Sequence, residues 1–360
     1  MKLISLAADN YRNLSGLFTE LDEGVNVICG ANAAGKTNLL EAVWMLTGAK
    51  SFRTSRDADL IMRGRDAAIL NAAFYSQSRR QEIRLSVTAE GRAISLNRAP
   101  ETRASAAAGE FCCVCFSPSH MALVEGSPAE RRRFLDTALC QLYPAYLGAA
   151  KKYARLVNQK NALLKSCYTV SAACELVDSF DDELSSLAQY IVKMRIDYTK
   201  SINERAKKYY SVLSGEREDI ELKYRSTLFE GIPNIADAAE AFAKNRAADL
   251  KCGFCTVGPH RDELLISLCS ESGRQFGSQG QKRSIVLAMK LAEAEQFEAV
   301  SGERPVLLLD DVLSELDEKR QTYLIDCLVN TQTIITGCDE EAIKSRIAAK
   351  ILKIADGKLL

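Results

Sequence analysis

The spacing of apolar positions changes character twice along the chain. Residues 25–29 form a short apolar run that ends in a glycine-bearing turn, and residues 38–46 then place Leu39, Leu40, Ala42, Val43 and Leu46 at helical intervals before Gly48. A strand, a loop and a helix are predicted in that order. Ile83, Leu85 and Val87 alternate with polar neighbours, Ala89-Glu90-Gly91-Arg92 follows as a turn, and residues 93–96 complete a predicted antiparallel hairpin.

The middle of the chain reads as helical. Ser127, Pro128 and Glu130 supply a hydroxyl cap, a first-turn proline and a glutamate three positions after the cap, which together start a helix. Helical spacing continues to about residue 212, with an acidic break expected at 178–183; a strand is predicted over 219–225 and a helix over 235–245. The last third returns to mixed α/β, with strands at 264–268, 306–309 and 333–335 and helices at 281–297 and 318–329. Neither an internal repeat nor the sustained heptads of a long coiled coil occur in the sequence.

Composition narrows the class. The 360 residues carry 47 Lys+Arg against 47 Asp+Glu, are 47% hydrophobic and 26% charged, and so belong to an ordinary globular protein rather than a disordered or collagen-like one. No stretch approaches the roughly 18 apolar residues of a membrane span, and residues 1–14 lack the pattern of a secretory leader, so a cytoplasmic protein without a membrane role is expected. The 12 cysteines sit mostly in apolar runs such as 27–29 and 111–115 and are expected to be reduced. Cys252 and Cys255 have zinc-site spacing, but with only His120 and His260 as histidines a four-ligand set is hard to assemble. Zero net charge conceals polarity: residues 50–103 balance at +5, residues 126–174 at +6 and residues 293–341 at −10. An anionic partner would have to meet a face built from the first half.

Gly30-Ala31-Asn32-Ala33-Ala34-Gly35-Lys36-Thr37 fits the phosphate-binding pattern G-x-x-x-x-G-K-[ST], between a predicted strand and a predicted helix that continues through Asn38. Glycines let backbone N–H groups turn towards phosphate oxygens, the helix N-terminus adds its dipole, Lys36 neutralises charge and Thr37 offers a hydroxyl to Mg²⁺. Residues 306–309 are a continuous apolar run leading into Asp310 and Asp311. An acid at the end of a buried parallel strand lies where Mg²⁺ must be held, so Asp310 is expected in the metal shell and Asp311 as the residue that orients or deprotonates water. ATP and Mg²⁺ are the expected cofactors.

Gly277-Ser278-Gln279-Gly280-Gln281 heads a helix, and Ser314-Glu315-Leu316-Asp317 follows the double acid. These resemble the signature and D-loop of ABC-type ATPases, in which the signature of one subunit meets the nucleotide held by another. Ser278, Gly280, Gln281 and Asp317 thereby become candidate nucleotide contacts. Together with Asn10-Tyr11-Arg12-Asn13-Leu14, the run from Gly126 to Asp136 and Gly258-Pro259-His260-Arg261-Asp262, they span nearly the whole chain and resemble the RecF family of bacterial DNA replication and repair proteins.

That resemblance implies an α/β, ABC-type P-loop ATPase head, residues 1–118 and 251–360, with an inserted, mainly helical arm at 119–250. It implies an ATP-dependent homodimer that binds gapped or single-strand/duplex junction DNA, works with RecR and RecO to load RecA, and acts as a weak, DNA-stimulated ATPase in DNA damage repair and the SOS response. Arg12 is expected near the nucleotide phosphates. Arg131, Arg132, Arg133, Lys151 and Lys152 are candidate DNA contacts, although arginines in a first helical turn oppose the dipole, and the alternative is that some of them pair with neighbouring acids or brace the inserted region against the head. The strand after the double acid ends Thr336-Gly337-Cys338-Asp339, without the switch histidine of transporter ATPases; Thr336 is a candidate substitute. The ATPase subunit of a membrane transporter is the alternative reading, and a small-molecule P-loop kinase a third.

Overall fold

The computed structural model describes residues 1–54, 56–100, 102–103, 107–166, 170–337 and 348–360. In chain order its elements are β1 (Lys2–Asp9), β2 (Leu17–Glu20), β3 (Val25–Cys29), α1 (Lys36–Met45), β4 (Ala67–Ser76), β5 (Arg79–Thr88), β6 (Gly91–Leu96), β7 (Thr102–Arg103), β8 (Cys113–Phe116), α2 (Ala122–Glu125), α3 (Pro128–Leu142), α4 (Pro144–Ser166) and α5 (Val170–Ser214). There follow β9 (Ile220–Arg225), α6 (Ile235–Cys252), β10 (Glu263–Leu268), β11 (Glu271–Ser272), α7 (Gly273–Phe276), α8 (Gln279–Ser301), β12 (Val306–Asp310), α9 (Glu318–Cys327), β13 (Thr333–Gly337), β14 (Ala349–Ala355) and β15 (Lys358–Leu359). The chain forms two compact units, one of residues 1–120 and 290–360 and one of residues 121–289, with the division inside α8.

The first unit holds two six-stranded sheets. One is antiparallel, in the order β2-β1-β4-β5-β6-β7; the other is mainly parallel, in the order β15-β14-β3-β13-β12-β8. Every residue of β12 is buried and four of five in β3 are, as expected of parallel strands covered on both faces. The expected hairpin is β5 and β6, with Ile83 opposite Leu96 and Leu85 opposite Ile94. Leu39, Leu40, Ala42 and Val43 of α1, with Leu46 just after it, join Leu308, Ile334 and Ile354 in the core.

The second unit is helical apart from the three-stranded sheet β11-β10-β9. Its longest helix, α5, buries Leu184, Ala188, Ile191, Arg195, Tyr198, Ile202, Ala206 and Tyr210, a stripe spaced by threes and fours. The acidic break expected at 178–183 does not occur. Asp181 is buried against Lys160 Nζ at 2.7 Å, and Glu183 pairs with Lys152, so these acids tie α5 to α4 instead of ending a helix. Residues 251–289, assigned from sequence to the second part of the head, group with the arm, because β10 pairs with β9 from Glu263–Arg225 to Leu268–Ile220.

Candidate functional site

The loop between β3 and α1 has the backbone its sequence requires. Gly35 lies at φ +116, and a Cβ there would sit 3.0 Å from Asn13 Oδ1; a Cβ on Gly30 would fall 2.3 Å from the Ile354 carbonyl. Ala33 also takes a left-handed conformation, at φ +66. Ala31, Asn32 and Ala33 are exposed at the crest of the loop while Ala34 is buried at its foot. Lys36, 6% exposed, folds back over the loop and donates to the carbonyls of Gly30 at 2.7 Å and Ala31 at 3.1 Å.

The double acid meets this loop. Thr37 Oγ1 donates to Asp310 Oδ1 at 2.8 Å. β13 lies between β3 and β12, with Thr336 in register with both Ile28 and Asp310. From there Thr336 Oγ1 donates to Asp310 Oδ1 at 3.0 Å and accepts the Asp311 N–H at 2.9 Å. Burial pushes the Asp310 carboxyl above its usual range; the Thr37 and Thr336 hydroxyls oppose the shift and the charge of Asp311 adds to it. Asp311 takes φ +52, a left-handed conformation that non-glycine residues adopt uncommonly. Cys338 and Asp339 lie outside the described residues.

Arg12, at φ +54, is anchored on the helix that follows the loop. Its Nε and Nη2 each donate at 2.9 Å to the carboxylate of Glu41, which is wholly buried on α1 and also receives the Ser51 hydroxyl. Asn38 Nδ2 donates to Asn13 Oδ1 at 2.7 Å, and Arg53 Nη1 donates to Asn38 Oδ1 at 2.5 Å. Gly357, at φ +75, donates its N–H to the Ala34 carbonyl at 2.9 Å. Asn13, Glu41, Ser51, Arg53 and Gly357 therefore support the loop without belonging to its motif. Asn13 lies in the motif at 10–14 and Gly357 in a turn between two strand-like runs; Glu41, Ser51 and Arg53 carry no local signal.

In the first unit, Asp317 caps α9 by accepting the Arg320 N–H at 3.0 Å, and that bond, opposed by burial and reinforced by the Arg320 guanidinium, holds its carboxyl below the usual range. In the second unit, Ser278 and Gln281 form a reciprocal cap on α8. The Ser278 N–H donates to Gln281 Oε1 at 2.7 Å, and the Gln281 N–H donates to Ser278 Oγ at 3.3 Å. Gly280 lies inside that first turn, and its carbonyl accepts Ser284 Oγ at 3.0 Å.

The basic candidates separate. Arg131, 8% exposed, grips Glu263 through Nε at 2.7 Å and Nη2 at 3.0 Å and reaches the Leu123 and Gly126 carbonyls through Nη1. It pairs with an acid inside the second unit rather than bracing that unit against the head. Arg132 donates to the Asp262 carbonyl at 2.8 Å, whereas Arg133, Lys151 and Lys152 are exposed. The motif at 258–262 is also built into the unit. Asp262 accepts from Tyr224 Oη at 2.6 Å and from Thr227 N–H at 2.7 Å, and a Cβ on Gly258 would lie 2.2 Å from Tyr153 Oη. Among the described residues no group of three His, Cys, Asp or Glu side chains could hold a metal ion, and no helix is long and apolar enough to cross a membrane.

Comparison with known proteins identifies the family. Residues 2–357 match the RecF/RecN/SMC N terminal domain family. The chain is 36% identical to the DNA replication and repair protein RecF of Lactobacillus gasseri over 369 residues, covering 100% of this chain and 99% of that protein. It is also 36% identical to the protein of the same name from Agathobacter rectalis over 365 residues, with the same coverage. A solved structure described as the recombination mediator protein RecF-ATP in the RecFOR pathway superposes with a TM-score of 0.91 at 29% identity, covering 100% of this chain and 97% of that one. The Smc head domain of Pyrococcus furiosus, at TM-score 0.56 and 17% identity over 100% of this chain and 96% of that one, shares the fold alone. The fold is thus the α/β, ABC-type P-loop ATPase head with an inserted helical arm. With its phosphate loop, double acid and signature in one order over a full-length match, the chain belongs to the RecF family of DNA replication and repair proteins.

Proposed function

We propose that this chain is an ATP-driven switch of recombinational repair and replication-fork maintenance, which dimerises on ATP, grips gapped or single-strand/duplex junction DNA and is reset by slow hydrolysis. The observation that carries the nucleotide part is the 2.8 Å bond from Thr37 to Asp310, which joins motifs 273 positions apart. A hydroxyl beside a carboxylate is a hard-oxygen donor set suited to Mg²⁺, and a left-handed glycine loop ahead of a helix is suited to phosphates. When bound, Mg²⁺ would neutralise charge between the β- and γ-phosphates.

The remaining chemistry belongs to the chain. Backbone N–H groups from Gly30 to Asn38 cradle phosphate oxygens, and Lys36 turns its ammonium from the Gly30 and Ala31 carbonyls to them. Asp311 orients or deprotonates the attacking water. Its side chain is shorter than glutamate, which suits slow turnover. Arg12 approaches the phosphates from its anchor on Glu41. Ser278, Gly280, Gln281 and Asp317 of a second copy complete the site.

Arg132, Arg133, Lys151 and Lys152 are the DNA contacts of this reading, reading backbone rather than base sequence. RecR is the direct partner and RecO and RecA indirect ones, in the cytoplasm. Full-length relatives named as DNA replication and repair proteins support this over a transporter subunit.

Sedimentation with and without ATP and Mg²⁺ tests the switch. Wild type should shift from monomer to dimer and Ser278→Arg should not; no shift in wild type, or one that Ser278→Arg retains, overturns it. DNA affinity should depend on ATP and fall with salt; tight binding that ignores nucleotide and survives Lys36→Ala refutes the coupling.

A further inference from the structure

The first turn of α8 is held from outside by a carboxylate of another element. Gln279 Nε2 at 3.0 Å and Lys282 Nζ at 3.1 Å both donate to the same atom, Glu125 Oε1, at the end of α2. Residues three apart share a helix face, so one oxygen between them fixes the rotation of that turn. Lys282 has no local reason to stand there, because a cation in a first turn opposes the helix dipole; Glu125 supplies the compensation. On the other side, Gln281 Nε2 donates to Glu218 Oε1 at 2.6 Å, and Glu218 also accepts Tyr210 Oη at 2.7 Å. α2 packs against α7, the short helix that leads into the signature.

Glu125 is in turn tied to the arginine helix. One residue, Gly126, separates it from Ser127 and α3. The Gly126 N–H donates to the Ala122 carbonyl at 2.9 Å, and a Cβ on Gly126 would lie 2.4 Å from that oxygen, so the elbow closes only around glycine. Arg131 Nη1, on α3, reaches back to the carbonyls of Leu123 at 3.3 Å and Gly126 at 3.1 Å while its other nitrogens hold Glu263. α2, the elbow and the start of α3 are therefore cross-linked by one buried side chain, and Glu125 lies between the two residues, Leu123 and Gly126, whose carbonyls that side chain holds.

We propose that Glu125 is a positioning residue for the signature, holding Gln279 and Lys282 so that the geometry of Ser278-Gln279-Gly280-Gln281 follows the elbow that carries Arg131, Arg132 and Arg133. The inference rests on the reading of the signature as half of a composite nucleotide site. Glu125 neither contacts nucleotide nor shapes the phosphate loop, so its loss leaves the affinity of a single head for ATP unchanged and weakens the ATP-dependent dimer.

The test uses the full chain as wild type, Glu125→Ala, the isosteric Glu125→Gln, Lys282→Glu and the exchanged pair Glu125→Lys with Lys282→Glu. Two quantities are read: affinity for a fluorescent ATP analogue at dilute, monomeric protein, and the dimerisation constant with ATP and Mg²⁺. Glu125→Ala and Lys282→Glu should each weaken dimerisation on the order of tenfold without changing analogue affinity, Glu125→Gln should fall between them and wild type, and the exchanged pair should recover most of the loss. Dimerisation of Glu125→Ala and Glu125→Gln equal to wild type overturns the proposal. So does an exchanged pair no better than Lys282→Glu alone, because Lys282 would then be needed as a cation in its own right. A wild type that fails to dimerise on ATP refutes the composite-site reading instead.

Discussion

His260 lies in surroundings that fix its charge. Tyr153 Oη and Nδ1 are 2.9 Å apart, and Nε2 is 3.1 Å from the Cys255 carbonyl. A carbonyl can only accept, so Nε2 carries the hydrogen; the tyrosine hydroxyl can donate or accept, and burial, which disfavours the charged ring, makes Nδ1 the acceptor. Burial lowers the His260 pKa from 6.5 to about 4; the Cys255 carbonyl opposes the shift, Arg261 and Arg132 reinforce it and Asp249 opposes it weakly. The folded value lies below the unfolded one, so between these pH values the unfolded chain binds the additional proton. The stability this histidine contributes is therefore complete above pH 6.5 and is lost as pH falls towards 4. At about 1.36 kcal/mol per unit, the loss is about 3 kcal/mol.

Urea unfolding of wild type and His260→Gln, followed by far-ultraviolet circular dichroism at several pH values from 7.5 to 4, measures that difference. Both proteins lose stability from other groups, so the quantity of interest is the gap between their pH profiles: wild type should lose about 3 kcal/mol more than the variant. The sequence contains only two histidines, so NMR titration of the imidazole signals, with His120→Gln for assignment, checks the cause directly. Parallel pH profiles, or a His260 signal that titrates near 6.5, would show that the ring is hydrated and the reasoning from burial wrong.

Three further outcomes follow from the same contacts. Gly35→Ala forces a left-handed conformation on a residue with a Cβ and presses it against Asn13, so it should cost about 1–3 kcal/mol in thermal unfolding and weaken nucleotide binding in equilibrium titration. Arg131→Ala leaves Glu263 buried without its partner and should destabilise by about 3 kcal/mol in denaturant, whereas Arg133→Ala should change stability by less than about 0.5 kcal/mol and reduce the salt slope of DNA binding by about 1. Asp311→Asn keeps a residue that tolerates φ +52, so it should retain ATP affinity while single-turnover hydrolysis falls about 10²–10⁴-fold; unchanged hydrolysis would remove Asp311 from the reaction.

Elements whose burial is uniform or strictly periodic were legible. β3 spans the residues its apolar run predicts, and β12, β13 and α8 differ from expectation by a few residues at their ends. β4 was not legible. Its sequence Ala-Ala-Ile-Leu-Asn-Ala-Ala-Phe-Tyr-Ser is rich in alanine, a weak strand former, and it is a strand because β1 and β5 pair with it along nearly its whole length. The acidic run in α5 misled for a related reason. Carboxylates read as solvated, and Lys160, 21 positions earlier, is what makes the interior acceptable to Asp181.

The same distinction separates the parts of the site. A phosphate loop works through the backbone of contiguous residues, so its chemistry is written in one stretch, and a parallel strand ending in acids points to its partner by topology alone. A buried cation is different, because it is tolerable only with partners that sequence distance conceals. Arg195, in the middle of α5, carries no motif, yet it donates to Asp136, Tyr146, Tyr224 and the Pro259 carbonyl, drawing on α3, α4, β9 and the segment before β10. Through Pro259 it ties α5 to the motif at 258–262, so this run of chemically suggestive residues acts as a joint of the helical unit. Arg131 does likewise at the α2–α3 elbow. Accessibility separates the cationic residues of this chain: arginines that find carboxylates and carbonyls inside set the geometry, and the cations exposed on α3 and α4, Lys152 with its Glu183 partner among them, are the ones proposed to meet an anionic partner.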